Sequence, residues 1–171
     1  MLAFQNQSCD LTLAQGISEY REYLKIKQYK IMNDGPNSRM ILEHDAIHVI
    51  FGLDASIEQE ILNDTWVLLA CNWHWSYIKE YFQLDDIKEL QIRLFKEIGL
   101  IRLIVLYVRL LPKVFKIFHR ARKMKNKWLY RFDEKYLQLP ISFIRHDYGI
   151  EILNYEDIKI KNPLKWSGAK S

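Results

Sequence analysis

Seven basic residues, Arg102, Arg109, Lys113, Lys116, Arg120, Lys123 and Lys127, follow one another at spacings of 7, 4, 3, 4, 3 and 4. Such a series stays on one side of a segment only if the segment is helical. At about 100° per residue all seven fall within an arc roughly 80° wide. Leucines, valines, isoleucines and aromatics, from Leu103 to Phe118, fill the rest. The spacing predicts one amphipathic helix from Leu100 to about Lys127, with Pro112 as a kink or break in its middle. Only six Gly and four Pro among 171 residues leave little material for a turn-rich β fold.

The remaining chain reads the same way. Asp10 to Ile26 predicts a helix with Leu11, Leu13, Ile17, Tyr20 and Leu24 on one side. Asn33 to Asn37 is a loop by its turn residues. Ser38 caps a helix that runs to about Phe51, and Gly52 ends it. Ser56 and Gln59 have capping-box spacing, opening a helix from Ile57 to about Tyr81. Asp85 or Asp86 caps Ile87–Ile98, Trp128–Leu139 is a short helix, and Ser142–Leu153 closes the fold after the Leu139-Pro140-Ile141 break. The expected architecture is one all-α domain over residues 1–171, with residues 162–171 frayed.

The chemistry points to residues 44–48, His44-Asp45-Ala46-Ile47-His48. On a helix His44 and His48 are i and i+4, so both imidazoles leave the same face, and Asp45 flanks it. Glu60 follows twelve positions after His48, on the next helix, and a short turn can fold it back. Two imidazoles and two carboxylates form a ligand set suited to zinc, with magnesium, manganese or iron as alternatives. Asp64, i+4 from Glu60, can support it. Trp66, Trp73 and Tyr77 share one side of the expected helix, as core packing or as the wall of an apolar tunnel. His74 and His146-Asp147 read as structural.

Composition narrows the setting. Cys9 and Cys71 make no disulfide framework and no CxxC, which fits a reducing compartment. The first residues lack the charged and apolar regions of a signal peptide, and the first basic residue is Arg21. No apolar run reaches the roughly 20 residues that cross a bilayer. A cytoplasmic protein of bacterial type, soluble or peripheral to a membrane, is expected.

The string His44-Asp45-Ala46-Ile47-His48, eleven residues, then Glu60 resembles the hallmark of the coenzyme Q (ubiquinone) biosynthesis protein family. Gly52 and Asp54 fall where that family places them. Thr12-Leu13 with Tyr20 looks like its early helix, and Leu139, Arg145 and Gly149-Ile150 resemble its closing pattern. The resemblance implies an all-helical fold with a metal, usually zinc, on His44, Asp45, His48 and Glu60. It also implies an apolar cavity for prenyl lipids, membrane association, a homodimer and contact with other quinone-synthesis proteins. The activity it implies is organisation of that synthesis, and decarboxylation with hydroxylation of the ring of a prenylated precursor. A prenyl phosphate is an alternative ligand.

The basic stripe reads as a membrane-facing or phosphate-holding surface, or as a solvated outer face. No Asp or Glu occurs between residues 98 and 132, whereas soluble faces usually mix signs. Nucleic acid is not expected as a partner, since no aromatic platform interleaves with the stripe. Three functions stand against one another. One is a metal-dependent decarboxylase of a prenylated substrate. Another is a non-catalytic lipid-binding scaffold with a structural metal. The third, a His-Asp phosphohydrolase, needs an upstream histidine, and none precedes His44.

Overall fold

A computed structural model describes residues 1–29, 38–160 and 163–164. The fold is all-α. In order along the chain come α1 (Leu13–Ile26), α2 (Ser38–Phe51), α3 (Ile57–Ala70), β1 (Cys71–Asn72), α4 (Trp75–Gln83) and α5 (Asp85–Ile98). They are followed by α6 (Leu100–Ala121), β2 (Trp128–Leu129), α7 (Ile141–Tyr148) and α8 (Tyr155–Ile158). The loop expected at Asn33–Asn37 and most of the tail lie outside the described residues.

Helix α1 starts at Leu13 rather than Asp10 because Thr12 caps it. The Thr12 hydroxyl accepts from Gln15 N at 3.2 Å and Thr12 N donates to Gln15 Oε1 at 2.9 Å. The residues before it are extended and pair with the stretch leading into α7, where Ile141 N donates to Leu11 O at 2.9 Å. Leu13, Ile17, Tyr20 and Leu24 are buried, on the face the period gave them. Gly16 lets α1 and α2 approach closely: a Cβ there would stand 2.6 Å from Val49 Cγ1.

Helix α2 is the centre of the molecule. Residues 45–51 are all buried, so it is enclosed on every side rather than amphipathic. Gly52 ends it with φ +72°, a conformation costly for any residue with a Cβ. Its last carbonyls meet Arg145 of α7, a fully enclosed guanidinium. Arg145 Nε donates to Ile50 O at 2.9 Å and Nη2 to Val49 O at 2.9 Å and Phe4 O at 2.7 Å. Nη1 donates to Asn6 O at 2.6 Å and Gln7 O at 3.4 Å. Burial lowers its pKa to about 10, and the negative end of α2 compensates its charge. One side chain thus ties the N-terminal segment, α2 and α7 together.

The turn to α3 is built differently from the expected capping box. Ser56 stands at the N-cap without a side-chain cap bond. Gln59 Oε1 instead accepts from Asp54 N at 2.7 Å, and Asp54 Oδ1 accepts from Ser56 N at 2.8 Å. An Asx turn displaces the box by two residues, and Glu60 still lands in the first turn of α3.

Four sequence expectations are corrected. The helix expected to run from Ile57 to Tyr81 stops at Ala70. Cys71 and Asn72 pair in parallel with Trp128 and Leu129, and α4 begins afresh at Trp75. That pairing also replaces the helix expected over Trp128–Leu139, of which only a 3-10 turn, Glu134–Gln138, remains. The closing helix ends at Tyr148, where Gly149 is left-handed, and α8 follows. Helix α6 passes Pro112 unbroken but ends at Ala121, so Lys123 and Lys127 lie beyond it. The proline ring is on the exposed side of α6, and contacts with α3 hold the helix together.

Candidate metal centre

His44 and His48 leave α2 on the side that faces the first turn of α3. Glu60 Oε2 stands 3.4 Å from His48 Nε2 and 4.0 Å from His44 Nε2. One ligand atom from each of the three residues lies within 4.8 Å of the others, so the group could hold a metal ion. Tetrahedral donors bound at 2.0–2.2 Å stand about 3.4 Å apart, so a zinc ion would draw the wider pairs inward by about 1 Å.

Aromatic rings hold both imidazoles in place. Tyr20 of α1 stacks on His48 with centroids 4.9 Å apart, and Tyr81 of α4 stacks on His44 at 5.2 Å. His48 is fully enclosed, and neither ring nitrogen has a hydrogen-bond partner; its approach to Glu60 falls short of hydrogen-bond geometry. An unpartnered buried polar group costs about 1–3 kcal/mol. His44 and Glu60 keep 18% and 37% of their side-chain surface, which makes theirs the accessible side of the cluster.

Protonation suits ligation. Burial, aided by repulsion from His48, lowers the His44 pKa to about 4, so the ring is neutral in ordinary buffers. Burial is the largest single influence and acts to lower His48, but the carboxylates of Glu60, Asp45 and Asp54 together outweigh it, and His48 is raised. Burial acts to raise Glu60, and the two histidines, His48 foremost, bring it below its ordinary value. Without a metal, Glu60 is the group that faces His48 Nε2, at 3.4 Å.

The structure brings together three of the four residues expected as ligands. Asp45 stands apart from the triad. Its Oδ2 accepts from Arg21 Nε of α1 at 2.7 Å, and the carboxylate is 7% exposed. Burial raises its pKa and Arg21 counteracts this. Its service is to tie α1 to α2 and to place a negative charge near His48. Tyr20 is on the buried face expected of its helix, but nothing in the sequence ties it, Arg21 or Tyr81 to the motif, because each meets it from a distant element.

Asp64, one turn beyond Glu60, reaches solvent yet is crowded by chain. That crowding, and the Glu60 charge, raise its pKa to about 7. Trp66 belongs to the core, stacked on Phe51 at 4.5 Å. Trp73 and Tyr77 are partly buried against that core, and His74 precedes α4 against the edge of Tyr77. His146 is exposed, and its carbonyl accepts from Lys125 Nζ at 3.0 Å.

The basic stripe divides. Arg102 and Arg109 are exposed and Lys113 is half-buried. Lys116 Nζ donates to Asp157 Oδ1 at 2.6 Å, and Arg120 donates to Ile152 O and lies 3.9 Å from Glu151. The latter half of the stripe therefore fastens the residues around α8. Lys123 and Lys127 are exposed beyond the helix.

Fold and site together define an all-helical protein with a candidate two-histidine, one-glutamate metal centre on consecutive helices. No protein family, curated protein or solved structure matches the chain.

Proposed function

We propose that the protein binds a divalent metal and a prenyl lipid and serves in the biosynthesis of ubiquinone or a related quinone, in the ring decarboxylation of the prenylated precursor. The observation that carries the metal reading is His48, wholly enclosed with both ring nitrogens unpaired, beside a neutral His44 and an ionised Glu60. The lipid and the pathway rest on the resemblance of residues 44–60 to the coenzyme Q biosynthesis family.

His44, His48 and Glu60 would hold the metal, zinc foremost, which polarises a carboxylate or phosphate head group when bound. Tyr20 and Tyr81 fix the ring orientations, and burial keeps the His44 nitrogen free of a proton. The exposure of Glu60 and His44 leaves a side from which a head group can approach, which favours a working site over a closed structural one.

The test is elemental analysis of the purified protein together with mass spectrometry of lipid carried through purification. About one metal per chain is expected, and His48→Ala should lose it. Unchanged metal content and unchanged lipid in His48→Ala would sink the proposal. Turnover of a prenylated hydroxybenzoate, abolished by Glu60→Ala, separates the enzyme from a scaffold.

A further inference from the structure

Among the described residues only two side chains bury two polar atoms without a hydrogen-bond partner: His48, with Nδ1 and Nε2, and Asn63, with Nδ2 and Oδ1. The others of this kind, Glu58 and Trp66 among them, leave one atom each. No part of Asn63 reaches the surface.

Both side chains belong to one interface. At about 100° per residue, Asn63 lies about 60° around α3 from Glu60 on one side and about 60° from Trp66 on the other. It also stands about 4.5 Å along the axis from each. Glu60 faces His44 and His48, and Trp66 stacks on Phe51, so both neighbours of Asn63 on this face of α3 meet α2. Asn63 therefore points at α2 between His48 and Phe51. Helix α2 offers little there for an amide: Ala46, Ile47, Val49 and Ile50 are apolar, and Asp45 is held by Arg21. A side chain that only filled this space would be cheaper as leucine, since an enclosed amide with no partner costs stability.

We infer that Asn63 is a binding residue of the metal centre, its amide holding one oxygen of the carboxylate or phosphate head group that reaches the metal. The inference rests on the metal reading of His44, His48 and Glu60. Three donors from the chain leave the fourth place of a tetrahedral ion to an oxygen from outside. Asn63 Nδ2 donates to the second oxygen of the same group, and a neutral amide, unlike an acid, does not repel an anion. The head group enters past Glu60 and His44, which are partly open, and the fully enclosed Asn63 meets it at the inner end. Two-point holding, by metal and by amide, selects oxyanions over ligands that bind a metal through a single atom.

Cobalt(II) in place of zinc makes the site visible, and its absorption reads the binding of acetate, inorganic phosphate and thiocyanate to the full chain. Asn63→Leu should keep its cobalt and the parent's metal-free melting temperature, because it removes an unpartnered amide. It should lose at least about tenfold in affinity for acetate or phosphate, the worth of one hydrogen bond to a charged group. Thiocyanate, which needs only the metal, should bind as in the parent. Whichever oxyanion the parent binds more tightly tells a carboxylate from a phosphate head group. Asn63→Asp serves if the leucine variant does not fold: an acid within reach of the ion should tighten cobalt by at least about tenfold and exclude both oxyanions. A cobalt-loaded parent that binds neither oxyanion, variants that keep the parent's oxyanion affinity, or a loss shared equally by thiocyanate overturns this inference alone. So does a metal-free Asn63→Leu that melts well below the parent, since Asn63 is then structural. A parent that takes up no cobalt overturns the metal reading and this inference with it.

Discussion

Arg145 and His48 lie against neighbouring turns of α2, both are wholly enclosed, and the fold treats them in opposite ways. All three nitrogens of Arg145 donate to backbone carbonyls, five in number. His48 has a tyrosine on one face, neither of its nitrogens makes a hydrogen bond, and Nε2 faces the Glu60 carboxylate at 3.4 Å. A buried polar group that is fully partnered holds structure together. One that is aligned and unpartnered, beside two further donors, is set to take something from outside. The difference separates a clamp from a site within a few ångströms of the same helix.

The largest effect expected on this contrast comes from Arg145→Met. It removes five hydrogen bonds and a buried cation, leaves only Val49 O and Asn6 O with another backbone donor, Gly52 N and Cys9 N, and should cost at least about 3 kcal/mol in urea unfolding. A loss under about 1 kcal/mol would mean that the clamp is dispensable and the contrast false. Second is the metal. Saturating zinc, at about a hundred times its dissociation constant, should stabilise the parent by about 2.7 kcal/mol, and a chelator should reverse this. In His48→Phe the zinc effect should vanish, while the metal-free chain loses no more than about 1–2 kcal/mol, because an enclosed imidazole without hydrogen bonds is removed and the partly exposed Glu60 can turn to water when its histidine neighbour is lost. A metal-free variant far less stable than the parent would make His48 structural instead.

Asp45→Asn comes next. It weakens a charged bond to Arg21 and should cost about 1–2 kcal/mol while metal content stays at the parent's level. Loss of metal would return Asp45 to the ligand set. Smallest is Asp64→Asn. Its folded pKa is raised from the usual carboxylate value to about 7, so the group contributes stability at low pH that is lost as pH rises through that range. Glu60, His48, Tyr81, Tyr107 and Tyr130 face it, and solvent moderates the effect. The variant should melt about 2 °C above the parent at pH 8 and no higher than it at pH 4. Equal melting at both would show that water screens Asp64 fully.

Local periodicity carried much of this into the sequence. The start of α2 at Ser38, its end at Gly52 and the histidines on one face follow from spacings of a few residues. The return of Glu60 needs only a short turn, and it survived a change in how that turn is capped. Contacts made across the chain were not legible. Nothing around Ala70 announces that residues 71–72 will pair with 128–129, and nothing in residues 44–48 says that Arg21 will claim Asp45. Helix α6 shows another limit: its apolar period reads as core on every non-basic side, yet much of it faces outward. A period reports that a face is greasy and leaves open what covers it.

The pairing of Cys71–Asn72 with Trp128–Leu129 makes the chain leave and rejoin the body at one spot. Between them runs one stretch whose last helix, α6, lies along α3 and buries Leu103, Leu106, Leu110 and Ile117 in the core. Of the 17 large apolar side chains exposed among the described residues, 13 lie on it, from Trp75 to Phe118. The pairing thus brackets the stretch that shares the core through one face of α6 and carries most of the exposed apolar surface.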